Sequence, residues 1–309
     1  MEKKILLAVD ESKHAKNAIQ YVIDIAPRVN QLTYTLFHVQ PQISQFLHDE
    51  ARINVRAQSA IEKIKKKNAQ NAHALLEKYK NLMVDEGIDE THIESKTAPR
   101  NLGLAKDIIE FAQKKHYDAV VVGRRGLTKM QEVFMGSLTT KLVEHSQVIP
   151  LWIVDGKVTS RRVLVAVDGS ESAFRAVDHV SFIFRNNPHA TITLFHVTPR
   201  LKDYCRLDYI TDEEDLESAI LQSDKKCIDQ FLSVVEKKFI DAGIAREQVI
   251  VRQTKPRFSI GDAILEEIQK GDYGTVVIGR RGTERAFYLG RVSNQVLSKT
   301  TRRAVWLVA

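Results

Sequence analysis

The chain is written twice, and that constrains its fold more than any other feature, because a repeat of this length marks a structural unit that recurs. The run Lys4 to Ser12 (KILLAVDES) returns as Arg162 to Ser170 (RVLVAVDGS), and Thr35 to Val39 (TLFHV) returns as Thr193 to Val197. Farther on, Val120 to Gly126 (VVVGRRG) returns as Val276 to Gly282 (VVIGRRG), and Leu151 to Val154 returns as Val305 to Val308. Order is kept throughout, so two domains are expected, 1–155 and 160–309, joined by the polar, glycine-containing stretch Asp155 to Ser160, read as a surface connection.

Within each copy, short apolar runs alternate with segments of helical spacing, such as Ser12 to Ala26 and Ala105 to Gln113. That alternation predicts an α/β fold, a doubly wound, mostly parallel sheet of five strands per copy, covered by helices on both faces through right-handed crossovers. The polar stretches Arg52 to Glu86 and Asp212 to Ala242 read as long helices, with Lys65-Lys66-Lys67 on a solvated face. Each copy ends in an apolar strand, Val148 to Val154 and Val305 to Val308. Exposed apolar edges invite aggregation, so these two strands are expected to pair within the chain as a pseudo-dimer.

The 309 residues, 43% of them hydrophobic and 28% charged, are ordinary globular material with enough chain for two cores. No long apolar segment or leader is evident, and a soluble cytoplasmic protein without membrane insertion is expected. Cys205 and Cys227 form no CxxC or Cys/His cluster, and the formal charge of +7 comes without a nucleic-acid-binding motif. Metal ligation and nucleic-acid binding are therefore set aside.

The chemistry concentrates after the run Ala119 to Val122, where Gly123-Arg124-Arg125-Gly126 turns the chain and Gly136-Ser137-Leu138 opens a helical pattern. Free N–H groups and the positive helix end converge there, which suits an anion. The spacing G-x2-G-x9-G-S resembles the nucleotide-binding signature of the universal stress protein family, and the likeness extends over nearly the whole chain as a tandem of two such domains. The resemblance implies that Asp10 holds the ribose or adenine side, that the Val39 backbone meets adenine, and that Gly123, Gly126, Gly136, Ser137 and Leu138 take the phosphates of ATP, with or without magnesium. It also implies a fold of five-stranded α/β sandwiches that dimerise by last strands. Arg124, Arg125, Arg280 and Arg281 are cations in the glycine loops and are expected to favour an anion, with plain solvent exposure as the alternative.

Bland readings stand beside these. Asp10 suits a helix cap as well as a ligand, His38 and His196 suit structural hydrogen bonding, and Trp152 and Trp306 suit packing or an interface. The second copy keeps Asp168, Val197, Gly279 and Gly282, but its loop to Gly290 is two residues shorter and Arg291 replaces the Ser. Nucleotide binding is expected to be degenerate there. No P-loop, nucleophile elbow or carboxylate pair supports catalysis. An ATP-binding regulatory protein, read by an unknown protein partner, is the leading function. A nucleotide-independent interaction or anion-binding module and a slow ATPase are the alternatives, and a further homodimer is left open.

Overall fold

The computed structural model describes residues 2–124, 136–200, 213–256, 258–281 and 289–309. The first repeat runs β1 (Lys3–Ala8), α1 (Lys13–Ile25), β2 (Leu32–Gln40), α2 (Gln45–Glu50), α3 (Val55–Asp85), β3 (Ile93–Pro99), α4 (Leu104–Lys114), β4 (Ala119–Gly123), α5 (Ser137–His145) and β5 (Leu151–Val154). The second runs β6 (Arg162–Val167), α6 (Glu171–Ile183), β7 (Ile192–Val197), α7 (Glu213–Asp241), β8 (Val249–Thr254), α8 (Ile260–Lys270), β9 (Tyr273–Gly279), α9 (Arg291–Lys299) and β10 (Ala304–Val308).

Among the described residues the strands form one sheet of ten in the order β3-β2-β1-β4-β5-β10-β9-β6-β7-β8. Every neighbouring pair is parallel except β5 and β10, which are antiparallel with Trp152 opposite Trp306. The expected pairing of last strands is therefore present, and it fuses two five-stranded halves into one sheet. Because that join is antiparallel, the carboxyl ends of the strands point to one edge in the first repeat and to the opposite edge in the second. β5 is shorter than the sequence suggested: Val148 is exposed, and Pro150, with no N–H to donate to a ladder, precedes the first paired residue.

Side chains alternate across each strand, so continuous apolar runs are buried on both faces. Ile5, Leu7 and Val121 face one core beneath α1, α3, α6 and α7; Leu6, Val120 and Val122 face the other beneath α4, α5, α8 and α9. The polarity of α3 has a geometric reason. Its buried residues cluster from Ala72 to Met83, with Ile61 alone nearer the start, and Lys65, Lys66 and Lys67 lie exposed in its amino-terminal half.

Along the seam between repeats, Trp152 and Trp306 stack with their centroids 3.9 Å apart. Trp306 Nε1 donates to the Tyr21 hydroxyl at 2.9 Å, and Trp152 Nε1 donates to His179 Nε2 at 3.0 Å. Tyr21 in α1 and His179 in α6 occupy corresponding places, so each last strand bonds to the first helix of the other repeat. The linker departs from the expected surface connection. Asp155 is buried, its N–H donates to Arg303 O, its carboxylate accepts from Arg302 N–H, and Val158 is buried too.

Candidate functional site

In the first repeat the chain moves from β1 outward to β2 and β3, then returns through α4 to β4 on the other side of β1. The switch point therefore lies between β1 and β4, where open α/β sheets bind ligands at the strands' carboxyl ends. Asp10, Val39, Gly123 and Gly136 come to this edge from distant parts of the sequence, as the parallel registers Ala8 to Phe37, Leu7 to Val121 and Val39 to Ala98 require.

Asp10 is half-buried, and its Oδ1 accepts the Ser12 N–H at 3.0 Å while Ser12 Oγ accepts the Ala15 N–H at 3.1 Å. The cap of α1 is thus Ser12, and Asp10 is held two residues earlier by a local side-chain bond. Tyr79, which sequence reasoning did not single out, donates its hydroxyl to Asp10 O at 2.8 Å. Burial, reinforced by the charges of Asp10 and Glu11, pushes that phenol up to about 12, so it remains a donor. It sits on α3 at helical spacing with the buried Leu75, Leu76 and Met83, and a tyrosine in such a row was the available signal. Val39 is buried, leaving its backbone as the feature it offers a ligand. His38 Nδ1 lies 2.8 Å from Val9 O and binds the end of β2 to the end of β1, the structural reading of that histidine.

Gly123 has a packing reason beside the one its motif suggests. A Cβ there would lie 2.5 Å from the carbonyl carbon of His14 and 2.6 Å from its oxygen, so the missing side chain lets α1 cross the end of β4. Gly279 repeats this against Ser172, with 2.5 Å to its Oγ and 2.9 Å to its carbonyl. Arg125, Gly126 and Gly282 lie outside the described residues. Both loops close identically, Gly136 N–H donating to Arg124 O and Gly290 N–H to Arg280 O, each at 3.0 Å. Gly290 therefore stands where Gly136 stands, and the length difference falls between residues 125–135 and 281–289.

Helix α5 begins at Gly136 with no side chain capping it, Ser137 is exposed at its first position, and the first internal bond is Thr140 N–H to Gly136 O. The Thr139 hydroxyl donates back to Gly123 O and Arg124 O at 3.3 and 3.0 Å, fixing the helix start against the strand end. Leu138 packs its side chain on the second core, which leaves only its backbone for a ligand.

Arg124 is a correction. Rather than facing an anion in the glycine loop, its guanidinium is 2% exposed and donates to Ser298 O and Thr300 O at the end of α9, with Asp155 at 3.9 Å. Arg280 does the reciprocal, donating to Ser146 O at 2.9 Å and Glu144 O at 3.4 Å at the end of α5. A cation at the negative end of a helix dipole satisfies carbonyls that the helix leaves without internal partners. These arginines tie each repeat to the other's last helix.

In the second repeat, Asp168 Oδ1 likewise accepts the Ser170 N–H at 3.0 Å, but Asp168 is exposed. Val197 is buried at the end of β7. The adjacent corner is altered: His196 Nε2 meets Asp224 Oδ2 of α7 at 3.0 Å, and the Cys227 sulfur lies where it would be 2.8 Å from a Cβ on Gly169. Arg291 stands exposed at the first position of α9.

Twofold α/β repetition in one sheet, with a switch-point edge and a helix start that no side chain caps, defines a tandem α/β protein. The universal stress protein family model matches residues 1–155 and 159–308, and the chain belongs to that family. A universal stress protein of Mycolicibacterium smegmatis is 22% identical over 306 residues, 97% of this chain and 95% of its own. One from Methanocaldococcus jannaschii is 26% identical over 145 residues, 47% of this chain and 77% of its own. The crystal structure of a universal stress protein from Archaeoglobus fulgidus superposes with a TM-score of 0.64 at 19% identity, covering 99% of this chain and 97% of that one, which fixes the fold.

Proposed function

We propose that the first repeat binds ATP and that the protein acts as a nucleotide-dependent regulator rather than by rapid catalysis. The observation that carries this reading is the uncapped start of α5 beside the β1/β4 switch point. Backbone N–H groups of Ser137 and Leu138, with the positive helix end, suit phosphate oxygens. The carboxylate of Asp10, anchored by Ser12 N–H and by Tyr79 on its own carbonyl, suits the ribose hydroxyls, and the Val39 backbone suits adenine. Family membership supports the same ligand class. A nucleotide bound only by the folded protein stabilises the conformation that holds it, which is the property a partner protein would read.

The test is calorimetric titration of the full chain with ATP, before and after Ser137→Asp. A carboxylate at the first helical position favours the helix but repels phosphate, so lost binding cannot be ascribed to lost folding. At least a tenfold drop in affinity is expected, about 1.4 kcal/mol. Unchanged affinity would remove α5 from the site. Phosphate release at saturating ATP separately distinguishes a slow ATPase from a binder.

A further inference from the structure

A cleft of ≈ 250 Å³ opens where the end of α1, the inter-repeat linker and the start of β6 meet, with Asp24, Arg28, Lys157, Arg161, Phe184 and Thr275 on its walls. None of the residues assigned above to the nucleotide lines it. Three of these side chains are cations and one is an acid, and Asp24 Oδ1 already accepts from Gln20 at 3.2 Å.

Arg28 is the unusual member. It is only 8% exposed, and its guanidinium donates to two backbone carbonyls at long range, Arg161 O at 3.3 Å and Asp24 O at 3.5 Å. Among the described residues no ion pair is formed with it. Burial, and next the like charge of Arg161, push its pKa down, and the repulsion from Arg161 exceeds the attraction of Asp24. A buried cation is unfavourable unless a counter-charge compensates it. Here the strongest charged neighbour has the same sign.

The geometry points to a second anion site at this seam, one that takes a small phosphomonoester with its phosphate on the Arg28 fork. A planar guanidinium matches the oxygens of phosphate, and the exposed Lys157 and Arg161 supply further positive charge at the mouth. Size narrows the ligand. At about 30 Å³ per water the cleft holds several times the volume of a bare oxyanion. The cleft is open to solvent on one side, so the phosphate-bearing end of the ligand is the part it would enclose. Phe184 provides an apolar wall for the organic body. Because the walls come from both repeats and the linker, and Tyr21 on the same wall bonds to Trp306 and Thr275, occupancy would hold the repeats in one mutual orientation.

Glycerol 3-phosphate is the probe, titrated into the full chain at constant ionic strength and followed by 31P line broadening, with Arg28→Met, Arg161→Ser and Ser137→Asp as variants. Saturable binding is expected in the parent, abolished by Arg28→Met, weakened about tenfold by Arg161→Ser, and unchanged by Ser137→Asp. Arg161 is exposed, so its variant keeps the test valid should Arg28→Met not fold. No saturable binding in the parent at millimolar probe, undiminished binding by Arg161→Ser, or binding lost in Ser137→Asp instead would each overturn the site.

Discussion

Trp152 and Trp306 occupy the same place in the two repeats and stack face to face, 3.9 Å between centroids and 4° between planes. Each also sends its indole N–H into the opposite repeat, to His179 and Tyr21 respectively. The pair thus joins the two halves through packing and hydrogen bonds at once. Trp152→Ala removes one ring of the stack and one of those bonds from a fully buried site, and a loss of about 3–5 kcal/mol is expected for such a truncation. Urea denaturation monitored through both repeats checks this, and a drop below ~1 kcal/mol would show that the seam does not depend on the stack.

His179 makes part of that seam pH-dependent. Its Nε2 accepts the Trp152 N–H, which only an unprotonated nitrogen can do. Burial, partly offset by Asp178, pulls its pKa down from 6.5 to about 4. The folded state therefore binds fewer protons than the unfolded chain between those values, so this residue's effect is stability lost as pH falls from about 6.5 towards 4. The gap is worth ~3 kcal/mol at its full extent. His179→Gln keeps an acceptor without the titration. Between pH 7 and 4.5 the parent should lose about 2–3 kcal/mol more than this variant, and parallel losses in the two proteins would refute the assignment.

Arg124 separates a structural role from a ligand role. Arg124→Leu removes the donors to Thr300 O and Ser298 O and leaves carbonyls without those partners in a buried place. A stability loss on the order of 2–3 kcal/mol follows from the desolvation of the stranded groups. ATP affinity should stay within about threefold of the parent, under ~1 kcal/mol. A large affinity loss with stability intact would restore the reading of Arg124 as a phosphate contact.

Gly123→Ala tests the close crossing of α1. The new Cβ would meet backbone atoms of His14 at 2.5–2.6 Å, and backbone cannot swing aside as a flexible side chain can. A destabilisation of about 1–3 kcal/mol is expected without any nucleotide present. Thermal unfolding of the ligand-free protein measures it, and an unchanged midpoint would leave the phosphate as the reason for the glycine.

The sequence made the strands, their order of use and the pairing of the last two legible, because repetition and runs such as Val120 to Val122 depend on local pattern. The destinations of Arg124 and Arg280 were not legible. Both sit in a motif that suggests anions, yet their partners are carbonyls 176 and 134 residues away, at Thr300 and Ser146, and only the antiparallel join of β5 to β10 brings them near. The linker misled for the same reason: Asp155 and Gly156 have turn chemistry, but Asp155 is buried by contact with Arg302 and Arg303 far along the chain. At Gly123 the motif left the role ambiguous, since a packing glycine and a phosphate glycine are the same letter and only the crossing of α1 shows the packing role.

The second repeat is expected to bind ATP far more weakly than the first. Its loop spans the same anchor, Arg280 O to Gly290 N–H, with two fewer residues than the loop between Arg124 and Gly136, so a shorter arc must pass around the phosphates. Arg291 sets a long cation where Ser137 offers a small hydroxyl, and near Asp168 the corner is occupied by the His196–Asp224 pair and by Cys227 over Gly169. Cutting the chain in two is a poor test, because it would uncover β5, β10 and the tryptophan stack together. Titrating the full chain avoids this. The parent should bind one ATP per chain, and Ser137→Asp should leave no site of comparable affinity. Two equal sites in the parent, with one surviving in Ser137→Asp, would show the shortened loop to be a working variant and place the nucleotide in both halves.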